Sequence, residues 1–500
     1  MMIVFHLLYF SAAGLLLTYG LNCYYLIRLH RRALRERAAG ADSEESVEGL
    51  ADQSLPTVVT QLPIYNEANV AERVMRAAAA MTYPEGRHEV QVLDDSTDGT
   101  RSRVDRTAEE LRAAGKRVSV VRRADRRGFK AGALAHGLEH TDAELVAIFD
   151  ADFVPPSNFL LRLAPAFQEN ERLGLAQARW GHLNPGHSIL TFAQSIGIDG
   201  HFTIEQAARS GGGLFMNFNG TAGIWRRRTI EDAGGWSSDT LTEDLDLSYR
   251  AQLAGWKTRF FSDVVVPAEI PGTVAGFKSQ QFRWAKGSIQ TAKKLFPRVF
   301  RAPLPFRVKV QAFFHLTHYL IHPLIVFIAV LALPVLWTLP LHLPPAAFAL
   351  VALILATAMA GPSSLYFVSQ RQLYPNGLRR LLFLPALMAV GIGLAVSNGR
   401  AVAEGFFGRK AGEFVRTPKR GDRPGGLRYR VTGKVGPVWE LGLGAYCALS
   451  LFFYLQAQNY LIGPFLALYM VGFLFIGLGG FIEAMDFSRR LARPARRETP

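Results

Sequence analysis

Apolar positions fall into two regimes along the chain. Residues 3–27 form one long apolar run, and further runs lie near 314–338, 346–369, 380–397, 437–455 and 461–482. Each approaches the ~20 residues that span a bilayer as a helix. From Pro56 to about residue 300 the pattern is different, with short apolar stretches broken by turn residues. The stretches 57–62, 89–93, 117–122 and 144–149 predict strands, and 68–81, 99–114 and 130–139 predict helices. Strands and helices in that alternation resolve into an open, mainly parallel sheet with helices on its faces. The expected organisation is a first membrane helix at 1–30, a charged linker at 31–52 and a soluble α/β domain at 53–300. Membrane or interfacial helices follow at 301–485, enclosing a polar loop at 398–436, and a basic tail closes the chain at 486–500.

Charge locates these parts. Lys and Arg total 56 against 41 Asp and Glu, a formal charge of +15. Arg28, Arg31, Arg32, Arg35 and Arg37 follow the first run, and Arg489, Arg490, Arg493, Arg496 and Arg497 follow the last. Basic flanks of apolar spans stay on the cytoplasmic side, which argues for a lipid bilayer as partner, against nucleic acid, and for a cytoplasmic soluble domain. The first run lacks a basic leading segment and a small-residue cleavage site, so it reads as a retained span. A full crossing by 380–397 would put the basic loop 398–436 outside, so that segment is expected to re-enter or to lie along the interface. Cys23 and Cys447 both sit in apolar runs and read as small hydrophobes, which excludes a disulfide framework and a zinc site.

Ligands bind an open α/β sheet at the carboxyl ends of its strands. Those ends carry Tyr65 and Glu67, then Asp94 and Asp95, then Asp150 and Asp152. Two carboxylates one residue apart after the strand 145–149 suit a hard divalent cation, Mg²⁺ or Mn²⁺, that also holds a diphosphate. Standing alone, they would equally be an acidic turn. Tyr65, Glu67 and Asp95 supply an aromatic face and carboxylates for a nucleoside, and Lys130 a cation for phosphate or simply a solvated helix start. Thr242 reads as a helix N-cap, yet Glu243, Asp244 and Asp246 place three acids within four residues, and one of them would deprotonate a sugar hydroxyl. Gln280, Arg283 and Trp284 offer a flat apolar ring and a fixed cation to a sugar acceptor and a leaving diphosphate; an interfacial Trp with an Arg needs neither.

Together these residues resemble the processive family 2 glycosyltransferases with a GT-A fold, the group that includes cellulose, chitin and hyaluronan synthases. The nucleotide-end Asp is matched by Asp95, the D-x-D by Asp150 and Asp152, the T-E-D by Thr242, Glu243 and Asp244, and Q-x-x-R-W by Gln280, Arg283 and Trp284. The stretches 61–67, 177–184, 217–223 and 239–246 look closer to the cellulose-synthase-like mannan and glucan synthases. The resemblance implies a GT-A, Rossmann-like catalytic domain joined to a helical transmembrane region. It implies an inverting hexosyltransferase that polymerises a β-1,4-linked mannan, glucomannan or glucan from GDP-mannose or UDP-glucose onto a growing polysaccharide. Asp244 would be the base with Glu243 beside it. Tyr65, Glu67, Asp95, Lys130, Asp150, Gln280 and Arg283 would hold the nucleotide sugar. Trp284, Asn219 and Gly220 would meet the acceptor, with Asn219 standing where a Cys is usual. Phe414, Thr417 and Lys419 are similar to a gating loop, although Arg416 replaces its Val. Single-addition lipid glucosyltransferases share the same marks, and the spans alone would also allow a transporter or receptor.

Overall fold

Strands form where apolar side chains alternate between two faces: β1 (Val58–Ile64), β2 (His88–Asp94), β3 (Val118–Val121) and β4 (Leu145–Ile148), within a residue or two of their expected bounds. The computed structural model describes residues 2–39, 55–338, 345–408 and 437–491. Three further strands, β5 (Leu173–His182), β6 (Gly223–Arg226) and β7 (Lys257–Ala268), complete a seven-stranded sheet of order β3-β2-β1-β4-β6-β5-β7. Only β6 runs against its neighbours. The parallel strands therefore share one carboxyl edge, and the reversed β6 brings the loop ahead of it, residues 219–222, to that same edge.

The period of two decides which side chain enters which layer. Val58 and Leu62 of β1 with Leu145 and Ala147 of β4 pack under the helices Ala71–Ala79 and Thr100–Ala113, against Val74, Met75, Val104 and Ala108. Val59, Val146 and Ile148 face the other way, where Leu134, Phe218, Trp225 and Leu247 cover them. With both faces covered by apolar side chains, function is left to the strand-end edge.

Among the described residues five helices are long and apolar enough to cross a membrane: Val4–Glu36, Phe306–Trp337, Ala352–Leu373, Val438–Gln456 and Gly463–Met485. The first belongs to a helix, Met2–Ala39, that continues into the segment expected to be a linker. Helices Gly377–Gly393 and Ala395–Phe407 form a pair bent by 44°. Both ends of that pair touch the α/β domain. Arg380 Nη2 donates to Ser195 Oγ at 3.3 Å, while Lys286 Nζ reaches Glu404 at 3.2 Å and Lys293 Nζ donates to the Phe406 carbonyl at 2.8 Å. Segment 380–397 is therefore no straight span.

The long helix Val274–Arg301 joins the two regions. Its first N–H groups, at Val274 and Ala275, donate to the Glu483 carboxylate of the last membrane helix at 2.7 and 3.0 Å, a negative charge where a helix N-terminus favours one. Lys278 forms a buried ion pair with Glu440 at the start of Val438–Gln456. Gln280, Arg283 and Trp284 lie in the second and third turns of this helix. The expected gating residues Phe414, Thr417 and Lys419 lie outside the described residues.

Candidate active site

The β1 and β2 ends are tied together before they offer anything to a ligand. Asn66, at φ +53°, donates its N–H to Ser96 Oγ at 2.9 Å and accepts from the Thr97 N–H at 2.8 Å. Asp94 is buried and accepts from Arg122 Nε at 2.9 Å. Asp95 accepts from Arg123, Nε at 3.0 Å with a second contact from Nη2. Arg123 also donates to the Arg127 and Phe129 carbonyls at 2.7 and 3.0 Å, pinning the basic loop to the end of β2. That loop closes through two successive left-handed residues, Gly128 at φ +74° and Phe129 at φ +50°, a strained pair that sets Lys130 in the first turn of helix Phe129–Leu138. The Arg126 guanidinium lies 3.4 Å over the Tyr65 ring, a flat cation on the aromatic face that was expected to seat a nucleoside.

Around Gly220 three loops converge. Lys130 Nζ reaches Asp150 Oδ1 at 2.5 Å and donates to the Gly220 carbonyl at 2.8 Å, while the Asp150 N–H donates to Thr221 Oγ1 at 2.9 Å. Gly220 has φ +80°, and a Cβ there would stand 2.9 Å from Asp244 Oδ2 and 3.4 Å from Lys130 Nζ, so only glycine lets these charges approach. Asn219 borders the same space, but its side-chain amide is engaged by Gln206 at 2.5 Å and by His201 at 3.0 Å.

The three clustered acids separate cleanly. Thr242 precedes helix Glu243–Leu253 but does not cap it; its hydroxyl lies 3.2 Å from that of Thr291 in the long helix. Asp246 is fully buried and paired with Arg250 at 2.8 Å and Lys294 at 2.9 Å, so it holds the fold. Glu243 and Asp244 border the open cavity. Asp244 keeps part of its surface there, yet loss of water around it, and next the negative charge of Glu243, push its carboxyl up to about 7. Burial opposes the charge on Lys130, but Asp150, Glu243 and Asp244 outweigh it and hold the ammonium above its ordinary value. Arg283 is drawn below its ordinary value by burial, against the pull of Glu243 and Asp150.

This cavity is bordered by every site residue expected within 53–300, from Tyr65 and Glu67 through Asp95, Lys130, Asp150, Asp152, Asn219, Gly220, Glu243 and Asp244 to Gln280, Arg283 and Trp284. It is also bordered by Arg126, Trp180, His182 and Glu269, which residue-level reasoning passed over. Trp180 and His182 stood inside the stretch 177–184 that carried the resemblance, and Arg126 is one of four arginines within residues 122–127. Asp150 and Asp152 fit a hard divalent cation. Their oxygens are of the kind such ions prefer, they border the cavity together, and one of them already draws the ammonium of Lys130 to 2.5 Å.

The chain is similar to several known proteins. The family described as "Glycosyltransferase like family 2" matches residues 56–287. Glucomannan 4-beta-mannosyltransferase 1 of Cyamopsis tetragonoloba is 35% identical over 402 residues, covering 78% of this chain and 75% of that protein. Probable glucomannan 4-beta-mannosyltransferase 9 of Oryza sativa subsp. japonica is 33% identical over 453 residues, covering 88% and 85%. Among solved structures, the mannosyltransferase PcManGT from Pyrobaculum calidifontis, in complex with GDP-Man and Mn²⁺, aligns with a TM-score of 0.54 at 21% identity, over 81% of this chain and all of that one. The likeness to PcManGT is one of fold.

Proposed function

Because the chain belongs to the family 2 glycosyltransferases and is like the glucomannan 4-beta-mannosyltransferases among them, we propose that it extends a β-1,4-linked mannan or glucomannan from GDP-mannose and passes the product through its own membrane helices. Mannose as the transferred sugar is supported by the names of the relatives, and GDP-mannose as donor by the ligand of the archaeal mannosyltransferase.

In this reading Tyr65, Glu67 and Asp95 seat the nucleoside, and Lys130, Gln280 and Arg283 face the diphosphate. Asp150 and Asp152 would hold Mg²⁺ or Mn²⁺, which when bound neutralises the leaving diphosphate. Asp244 takes the proton from the acceptor hydroxyl, and Trp284 presents its ring to the apolar side of the acceptor sugar. Attack from the face opposite the leaving group turns an α-linked donor into a β-linked product. The observation that carries the reading is the convergence on Gly220 of the Lys130–Asp150 pair and of Asp244, a carboxyl raised to about 7 and so poised to accept a proton near neutrality.

The test offers membranes containing the protein labelled GDP-mannose and labelled UDP-glucose in turn, with Mn²⁺ or Mg²⁺. The expected product is a mannose-containing polymer that resists organic extraction and is cut by a β-1,4-mannan hydrolase. A single-sugar glycolipid that partitions into organic solvent would replace the polymerase by a lipid glycosyltransferase. Absence of transfer from either donor would overturn the reading.

A further inference from the structure

The end of β5 carries two buried polar atoms that the reaction as drawn does not use. Trp180 and His182 are two residues apart on one strand and border the cavity together, while Gly181 between them turns to β7, where a Cβ would stand 2.7 Å from Val265 Cγ1. The His182 side chain is only 5% exposed, and its Nε2 lies 2.9 Å from Asp199 Oδ1. A carboxylate only accepts, so Nε2 carries the hydrogen, and in the neutral imidazole Nδ1 is then the acceptor. Neither His182 Nδ1 nor the Trp180 indole N–H has a hydrogen-bond partner among the described residues. Buried polar atoms are ordinarily paired, and an acceptor beside a donor matches a sugar hydroxyl, which both gives and takes a hydrogen bond.

Position in the sheet separates this pair from the donor. Asp95 and Asp150 follow β2 and β4, whereas β5 lies two strands beyond β4, about 10 Å across the sheet. On that side the Trp180 ring stands 6.5 Å from the ring of Trp284. Asp199, 1% exposed, is itself held from the membrane region, since Gln370 Nε2 donates to it at 2.9 Å and the Tyr374 hydroxyl at 3.1 Å, with Arg380 3.8 Å away.

We propose that His182 binds a hydroxyl of the acceptor sugar through Nδ1, beside the indole N–H of Trp180, and that Asp199 is the positioning residue that fixes the imidazole and ties the acceptor seat to the membrane segment. The assignment rests on the glycosyltransferase reading above and adds the residues that grip its acceptor.

The test uses the full chain in lipid nanodiscs with GDP-mannose and β-1,4-mannohexaose. His182→Ala raises the KM for mannohexaose about tenfold, the loss of roughly one hydrogen bond, and leaves the KM for GDP-mannose within about twofold. His182→Gln, which offers both a donor and an acceptor, recovers most of the loss, and Asp199→Asn shifts the acceptor KM in the same direction. An acceptor KM unchanged in His182→Ala overturns the proposal, as does an equal rise in donor and acceptor KM. Should His182→Ala fail to fold, Tyr374→Phe removes one hydrogen bond from Asp199; it raises the acceptor KM about threefold with the donor KM unchanged, and no rise overturns the proposal. If the wild-type protein transfers no mannose to mannohexaose, the function proposed above falls before any variant is compared, and this assignment falls with it.

Discussion

Asp244 and Asp246 sit two residues apart on one helix, and their surroundings give them opposite duties. Asp244 faces the cavity with a carboxyl raised to about 7, so it is protonated below that pH and accepts a proton above it. Transfer measured as kcat/KM should therefore rise with pH through about 7 and level off, the limb reporting Asp244 in the field of Glu243. Asp244→Asn should retain donor binding and lose about two to four orders of magnitude in rate; a variant with near wild-type transfer would move the base elsewhere. Asp246→Asn leaves Arg250 and Lys294 facing a neutral amide in a buried site. It should lower stability by about 3–5 kcal/mol, read by thermal unfolding, while the protein that stays folded keeps its pH profile. Residue type and order in the sequence picked out the three acids as a cluster, but not this division among them. Arg250 stands one turn further along the same helix, but Lys294 becomes a partner of Asp246 only through the packing of helix Val274–Arg301. Asn219 likewise was expected to face the acceptor, and its amide turns inward to His201 and Gln206.

Helix Val274–Arg301 shows how one element places another's chemistry. At Gly287 it touches the Thr242 backbone, where an added Cβ would stand 2.5 Å from Thr242 Cγ2 and 2.9 Å from its N. In an open helix Gly→Ala is worth up to about 1 kcal/mol in favour of folding. Here the same change pushes on the residue that starts the Glu243–Leu253 helix, so Gly287→Ala should cut transfer by about 10- to 100-fold with donor affinity intact. Gly391→Ala, in helix Leu384–Gly393 with nothing within 4 Å, is the control and should leave activity unchanged. Strands β1 to β4 were legible as short apolar-rich runs between turn residues, and each lies within a residue or two of its expected bounds. Strands β5 to β7 were not foreseen, for physical reasons. Gln177 in β5 is buried and donates to the Thr221 and Ala222 carbonyls, so its partners come from the loop ahead of β6 rather than from its own stretch of chain. The β5–β7 ladder slips between Ala178 and Arg179, which breaks the alternation along β7. The helix start at Val274 carries a local cap, Thr273 accepting from the Gly276 N–H at 3.1 Å, but the Glu483 carboxylate that takes the Val274 and Ala275 N–H groups lies some two hundred residues later.

At the scale of the molecule, the bent pair Gly377–Gly393 and Ala395–Phe407 decides on which side of the membrane the later chain lies. Basic residues along the sequence allowed a consistent topology only if this segment failed to cross. The pair is held at both ends: Arg380 contacts Asp199 and Ser195, Glu404 and Phe406 contact Lys286 and Lys293, and all four partners belong to the α/β domain or its exit helix. Between these ends the pair turns its apolar side to Leu190, Ala193 and Phe277 through Val390 and Leu394, and Gly393 closes on Gly472 of the last membrane helix. A helix pair anchored in this way is expected to enter and leave on the same face. In a background of Cys23→Ala and Cys447→Ala, single cysteines at Leu378, Phe407 and Tyr460 report this directly, because all three positions are exposed. With sealed vesicles and a membrane-impermeant thiol reagent, Leu378→Cys and Phe407→Cys should label from the same side as Ser102→Cys in the catalytic domain. Tyr460→Cys, between the last two spans, should label from the opposite side. Labelling of Phe407→Cys together with Tyr460→Cys would make the pair a sixth crossing and would carry the chain that follows Phe407 away from the cavity. Labelling with Ser102→Cys keeps that chain, with the expected gating residues Phe414, Thr417 and Lys419, on the side where the sugar is transferred.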